Sequence, residues 1–215
     1  MIKAKHNYWA RFVFNIYINK QIKTYFNGFK LINSLPLIDE NKSLIVLPNH
    51  FSWWDGFLID YLNRKLLNRN FYILMLEEQL KKYWFFQKLG AFSINQNNPK
   101  SIIETSIYFK QLLENKKNLI VFYPQGKIEK FGYENITFKT GIKVFLKCKE
   151  EETQILPIGF KFEYYENKTP DILVRFGNVI SPKEPNLDIL IKDEFIENIK
   201  QLDITSQNKN CGAKL

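Results

Sequence analysis

The chain has little of what usually advertises catalytic chemistry. Its 215 residues include two cysteines, Cys148 and Cys211. They are too few and too far apart for a disulfide framework or, by spacing, a metal site. Such usage makes a reducing, cytoplasmic setting the default. The two histidines, His6 and His50, are widely separated, so a zinc centre has no ligand cluster to start from. There is no Gly-x-Ser-x-Gly elbow, no Gly-x-Gly-x-x-Gly and no Gly-x-x-x-x-Gly-Lys. Covalent serine hydrolysis, dinucleotide binding and P-loop nucleotide hydrolysis therefore all lack their usual parts. No apolar run approaches the ~20 residues of a membrane span. The N-terminal apolar residues are interrupted by Lys, Arg and Asn and lack a small-residue cleavage site, so no secretory signal is read.

What is present is aromatic and basic. Hydrophobic residues make up 45% of the chain and aromatics 16%, enough for a substantial core in one domain. The aromatic surplus suits a pocket, a membrane-facing surface or an acyl-sized tunnel. The net charge is +9, and it is uneven. Lys3, Lys5, Arg11, Lys20, Lys23 and Lys30 fall in the first thirty residues, which hold no Asp or Glu. A basic end of this kind suggests an anionic partner: bilayer, nucleic acid or acidic protein.

Residues 1–34 read as a hairpin of two short amphipathic helices. Trp9, Phe12, Val13 and Ile16 share one face, Ile18, Ile22, Tyr25, Phe26 and Phe29 another, and the stripe shifts near Asn19. Basic amphipathic segments lie on bilayers, and they also pack on domain cores. Residues 35–204 read as one α/β domain. Strand-like runs at 43–47, 71–76, 119–123, 155–160 and 172–176 alternate with helical patterns at 57–67, 80–89, 102–113, 142–148 and 187–202. This predicts a mixed, largely parallel central sheet flanked by helices. Residues 205–215 read as a flexible tail.

The first strand runs into Pro48, Asn49 and His50, and Asp55 opens the next helical pattern. His50 is thereby placed at the C-terminal edge of a strand, where ligands collect in such sheets. Histidine can take and return a proton near neutrality, and a nearby carboxylate can fix its tautomer. With no enzyme nucleophile in sight, the economical reading is that His50 deprotonates a substrate hydroxyl. Asp55 also reads as the N-cap of the following helix, a frequent role for Asp at such a boundary and one compatible with pairing to His50. Gly126 reads as an oxyanion-facing backbone or as a turn glycine after Pro124. Trp53 and Trp54 read as walls of an acyl site, interface anchors or core.

Four segments in order resemble the glycerolipid, or lysophospholipid, acyltransferase family, over roughly residues 40–180. The family's Asn-His-x-x-x-x-Asp is matched by Asn49, His50 and Asp55. Its Gly and aromatic block ending in Arg is matched loosely by residues 90–96, ending in Gln96. Phe-Pro-Glu-Gly-Thr-Arg-Ser is matched by Tyr123, Pro124, Gln125, Gly126, Lys127, Ile128 and Glu129, and a strand with a proline by residues 155–159.

The resemblance implies acyl transfer from acyl carrier protein or acyl-CoA to a lipid hydroxyl, with no cofactor or metal. His50 is then the base and Asp55 its partner. Asn49, Gln96 and the Tyr123–Lys127 segment bind substrate, with Gln125 orienting the acceptor hydroxyl. The N-terminal helices dock on the cytoplasmic face of a membrane, and no nucleic acid is expected. Gln96 and Ile128 stand where the family has phosphate-binding arginines, whose bidentate geometry lysine does not reproduce. The acceptor is therefore lysophosphatidate or, more in keeping with these residues, a lipid without that phosphate: a glycolipid, glycosylated pigment or amino-acid lipid. Two readings compete with this one: a non-catalytic lipid-binding relative, and a basic nucleic-acid-binding protein.

Overall fold

Strand β2, Ser43–Pro48, is buried along its whole length, and its side chains alternate between two cores. Leu44 and Val46 pack with helices α1 (Tyr8–Tyr25) and α2 (Asp55–Leu62). Ile45 and Leu47 pack with α4 (Pro99–Leu113), α5 (Ile142–Leu146) and α6 (Leu187–Ser206). A strand covered on both faces reads as a continuous apolar run, which is how it looks in the sequence. The structure, a computed structural model, describes residues 1–134, 136–139, 141–146 and 152–215. The end of the helix expected at 142–148, including Cys148, lies outside them.

The remaining strands are β1 (Gly28–Leu31), β3 (Asn70–Leu76), β4 (Ala91–Ile94), β5 (Asn118–Val121), β6 (Thr153–Glu163), β7 (Asp171–Phe176) and β8 (Ala213–Lys214), with the short helix α3 (Glu77–Lys82) after β3. Among the described residues they form one eight-stranded sheet, ordered β4-β3-β5-β2-β6-β7-β1-β8. Strands β4, β3, β5, β2 and β6 run parallel; β7 is antiparallel to β6, and β8 to β1. Val46 lies opposite both Val121 of β5 and Leu156 of β6. The chain leaving β5 at Tyr123 therefore emerges beside the chain leaving β2 at His50. Pro157 lies just before the β6–β7 ladder begins at Ile158, beyond which an isolated Ile155–Ile180 bridge continues the pairing. At such a break a missing N–H is tolerated.

Three expectations change. The N-terminal hairpin is one helix, α1, followed by strand β1. Asn7 caps α1 by accepting from the Ala10 N–H at 2.9 Å, but the Phe26 and Phe29 spacing that suggested a second helix belongs to extended chain. Gly28–Leu31 pairs in parallel with Asp171–Val174, a long-range gain that overrides a local spacing of three. Lys30, on β1, pairs with Asp171 at 2.9 Å. The C-terminal segment is not frayed: β8 caps the open edge of β1, and the Leu215 N–H donates to Phe29 O at 3.1 Å. The helix expected at 80–89 is split into α3 and a 3-10 turn, Trp84–Leu89, that ends at Gly90. Gly90 has φ +104, and a Cβ there would lie 2.1 Å from Phe71 O, so only glycine closes this turn.

Candidate active site

Asp55 is the first residue of α2, and its side chain reaches back over the turn that begins it. Its Oδ2 accepts from the Phe51 N–H at 2.8 Å, the Ser52 N–H at 2.9 Å and His50 Nδ1–H at 2.9 Å. It does not cap α2 in the usual sense; it ties the loop to the imidazole. With 1% exposure, burial pushes its carboxyl above the ordinary range, and the bonds from His50, Ser52 and Phe51 oppose that rise. Committing Nδ1–H to the carboxylate leaves Nε2 as the unprotonated nitrogen of a neutral ring. His50 lines a cavity of about 510 Å³, the size of a small-molecule or acyl-chain site.

The backbone of His50 is held by the chain leaving β5. Its N–H donates to Gln125 Oε1 at 2.7 Å, and its carbonyl accepts from the Glu129 N–H at 2.8 Å. Gln125 Nε2 then donates to Glu129 Oε2 at 2.9 Å. A glutamate at 125 would put two carboxylates in contact, so two departures from the expected motif, Gln125 and Glu129, compensate one another. The Gln125 bond comes first, then Lys127 and Lys139, in holding the Glu129 carboxyl below its usual range. Tyr123 stacks on the His50 ring, with centroids 4.2 Å apart.

The nine residues singled out in the sequence separate into three groups. His50 and Asp55 form the expected pair. Gln96, Tyr123, Gly126 and Lys127 line the cavity with His50, as does Ile128. Asn49, Pro124 and Gln125 do not line it. The buried Asn49 amide is used up by β6, donating to Phe160 O at 2.9 Å and accepting from the Phe160 N–H at 2.8 Å. The Gln125 amide bonds His50 at its oxygen and Glu129 at its nitrogen, and the side chain is buried away from the cavity, so it braces the base rather than facing an acceptor hydroxyl. Pro124 O accepts from the Lys139 N–H at 2.9 Å. The alternatives for Gly126 resolve toward the turn: its N–H donates to Tyr123 O at 3.1 Å, and its φ of +69 together with a Cβ position 2.8 Å from Lys139 Cγ demands glycine.

The rest of the cavity was not legible in the sequence. Helix α1 supplies Phe14 and Arg11 to its wall, and α2 supplies Phe57 and Asp60. Arg11 Nη1 donates to Asp60 Oδ1 at 2.7 Å, and Arg64 Nε to Asp60 Oδ2 at 3.3 Å. Asp60 is nearly buried, so this shared ion pair pins α1 to α2. The other walls are apolar, including Phe71, Ile73, Leu89 and Phe122. Trp53 stands exposed at the rim, whereas Trp54 packs edge-on against Phe26 at 5.2 Å. Among the described residues two buried polar atoms near the base have no hydrogen-bond partner: Asp55 Oδ1 and Tyr123 Oη.

The site is thus a histidine anchored by a buried carboxylate on the wall of a largely apolar cavity, at the C-terminal edge of parallel strands. The acyltransferase family model matches residues 26–161, which contain both members of the pair, and the chain belongs to that family. It shares its fold with the crystal structure of the 1-acyl-sn-glycerophosphate (LPA) acyltransferase PlsC from Thermotoga maritima. The match has a TM-score of 0.63 at 15% identity and covers 90% of this chain and 78% of that one. No curated protein matches the sequence.

Proposed function

We propose that the protein is a membrane-surface O-acyltransferase, moving a fatty acyl group from the thioester of acyl carrier protein or acyl-CoA to a hydroxyl of a lipid acceptor. One observation carries this reading: the Asp55-anchored imidazole of His50 lies on the wall of an apolar cavity that runs to Arg11 and Phe14 of α1. His50 Nε2 takes the proton of the acceptor hydroxyl as its oxygen attacks the thioester carbonyl. The tetrahedral adduct collapses with cleavage of the C–S bond, and the imidazolium returns the proton to the departing sulfur. Asp55 stabilises the imidazolium between these steps. No metal is called for in this sequence of bonds.

The acceptor follows from charge. Among the described residues two cationic side chains line the cavity, and each already has a carboxylate partner: Asp60 for Arg11, and Glu129 for Lys127 at 3.3 Å. With Gln96 and Ile128 at the positions of the family's arginines, an uncharged or amine-bearing head group fits better than a phosphomonoester.

Exposure of Tyr8, Trp9, Phe12, Val13, Ile16 and Tyr17 along α1 supports docking on the cytoplasmic face of a membrane. Among the described residues no helix is long and apolar enough to cross one. The test is to incubate the purified protein with labelled acyl thioesters and an extract of native lipids, and to identify the acylated product by mass spectrometry. A neutral or amine-bearing lipid ester supports the reading. Ready acylation of lysophosphatidate in preference to these overturns the acceptor assignment, and no product with any thioester favours a lipid-binding relative without turnover.

A further inference from the structure

The outward face of α1 carries lysines as well as aromatics, and one of them meets a lysine from another element at a hollow the reaction does not use. Lys23 of α1 and Lys65, from the π-helical turn after α2, line a hollow of about 140 Å³ together with Asn19, Ile22 and Tyr61. Among the described residues neither lysine has an acidic partner. Asp60, beside Tyr61 in sequence, is taken by Arg11 and Arg64. Arg64 Nη2 also donates to Asn19 Oδ1 at 3.1 Å, and the NH₂ of that amide has no hydrogen-bond partner among the described residues. Lys65 Nζ lies 5.7 Å from the centre of the Tyr61 ring. The hollow is thus lined by two lysines, an asparagine and a tyrosine, with Ile22 as its apolar member. Two like charges brought to one hollow repel unless an anion lies between them.

We infer that this hollow seats the phosphate of an anionic membrane lipid, an assignment that rests on the membrane reading above. The choice of a lipid over a soluble anion comes from the helix itself. On α1 the exposed positions Trp9, Phe12, Val13 and Ile16 continue along one side into Lys20 and Lys23, seven residues and ~10 Å of helix beyond Ile16. A helix lying flat in the interface dips its aromatics into the acyl region and lets lysines of the same face reach head groups. The hollow sits at that basic end, so a head group held there would fix which way α1 points on the bilayer.

The full-length protein is sedimented with vesicles of phosphatidylcholine alone and with vesicles also containing phosphatidylglycerol. The wild type should favour the anionic vesicles. K23Q/K65Q should lose that preference, with binding to anionic vesicles reduced roughly 30-fold, on the basis of ~1 kcal/mol per lysine at a surface, while still pelleting with phosphatidylcholine. The charge-matched control K116Q/K117Q, on the exposed turn before β5, should keep the preference. The site is overturned if both double variants lose it equally, since diffuse charge then suffices, or if neither does. Saturable binding of inorganic phosphate that depends on Lys23 and Lys65, without any vesicle preference, overturns the lipid in favour of a soluble anion. Wild-type protein that pellets with neither vesicle overturns the membrane reading itself, and this inference with it.

Discussion

The turn that carries His50 and the outer face of α1 are built on opposite plans. At the turn, the backbone N–H and C=O of His50, its Nδ1, both ends of the Gln125 amide and Oδ2 of Asp55 all have protein partners. Along α1, Trp9 is 72% exposed and Val13 63%, and Lys20 and Lys23 have no acidic partner among the described residues. The first region holds the His50 backbone and Nδ1 in place without a ligand, as suits a pre-organised base that is not to reorganise during reaction. The second leaves apolar and basic side chains open to water, which is the basis for proposing that it docks on an apolar, anionic surface. Helix α1 joins them, since its inner side gives Arg11 and Phe14 to the cavity.

The comparison breaks most readily at Asp55. Asp55→Asn should lower kcat by ~10²- to 10⁴-fold, because an amide cannot stabilise the imidazolium as a carboxylate does. Its stability should move the other way. Burial raises the folded carboxyl above its unfolded value, so between the two the native state binds more protons, and stability falls as pH rises through that window. The wild type bears the full cost of the buried charge at neutral pH. Thermal melts should therefore show Asp55→Asn the more stable at neutral pH, with its advantage shrinking as pH falls into the acid range. An advantage that grows on acidification contradicts the assignment.

A finer test exchanges the two departures in the third motif. Gln125→Glu sets a carboxylate against Glu129 and should cost about 1 kcal/mol after solvent screening, read as a lower Tm. Adding Glu129→Gln should restore it. Additive losses in the double variant would mean that the two residues do not act as a pair.

Tyr123→Phe should change stability less, and upward. It removes a buried hydroxyl with no partner among the described residues, so a gain of up to ~1 kcal/mol and a higher Tm are expected, with the stack on His50 kept. On the exposed face, Trp9→Ser with Phe12→Ser should shift stability by no more than ~0.5 kcal/mol yet weaken vesicle flotation clearly. A large loss of Tm there would make α1's outer face part of the core.

How much of this was readable in the chain follows the same division. The strands at 43–47, 119–123, 155–160 and 172–176 announce themselves because they are largely apolar and buried along most of their length, and the half-buried strand at 71–76 does so by its apolar run alone. The four-residue strand Gly28–Leu31 and the two-residue Ala213–Lys214 do not, since their stability comes from partners far along the chain. His50 and Asp55 are legible because five residues of chain join them. The Arg11–Asp60 pair, forty-nine residues apart, gives no local signal. Nor could residue type distinguish a glutamine that binds substrate from one whose amide is spent on His50 and Glu129.

The central claim is that His50 is the general base of a direct acyl transfer. Its most direct test is the rate of ester formation by purified His50→Ala in the presence of acyl thioester and the lipid acceptor, with folding checked by circular dichroism. A well-folded variant slower by at least ~10²-fold is the expected result, and a well-folded variant that transfers at the wild-type rate would contradict it.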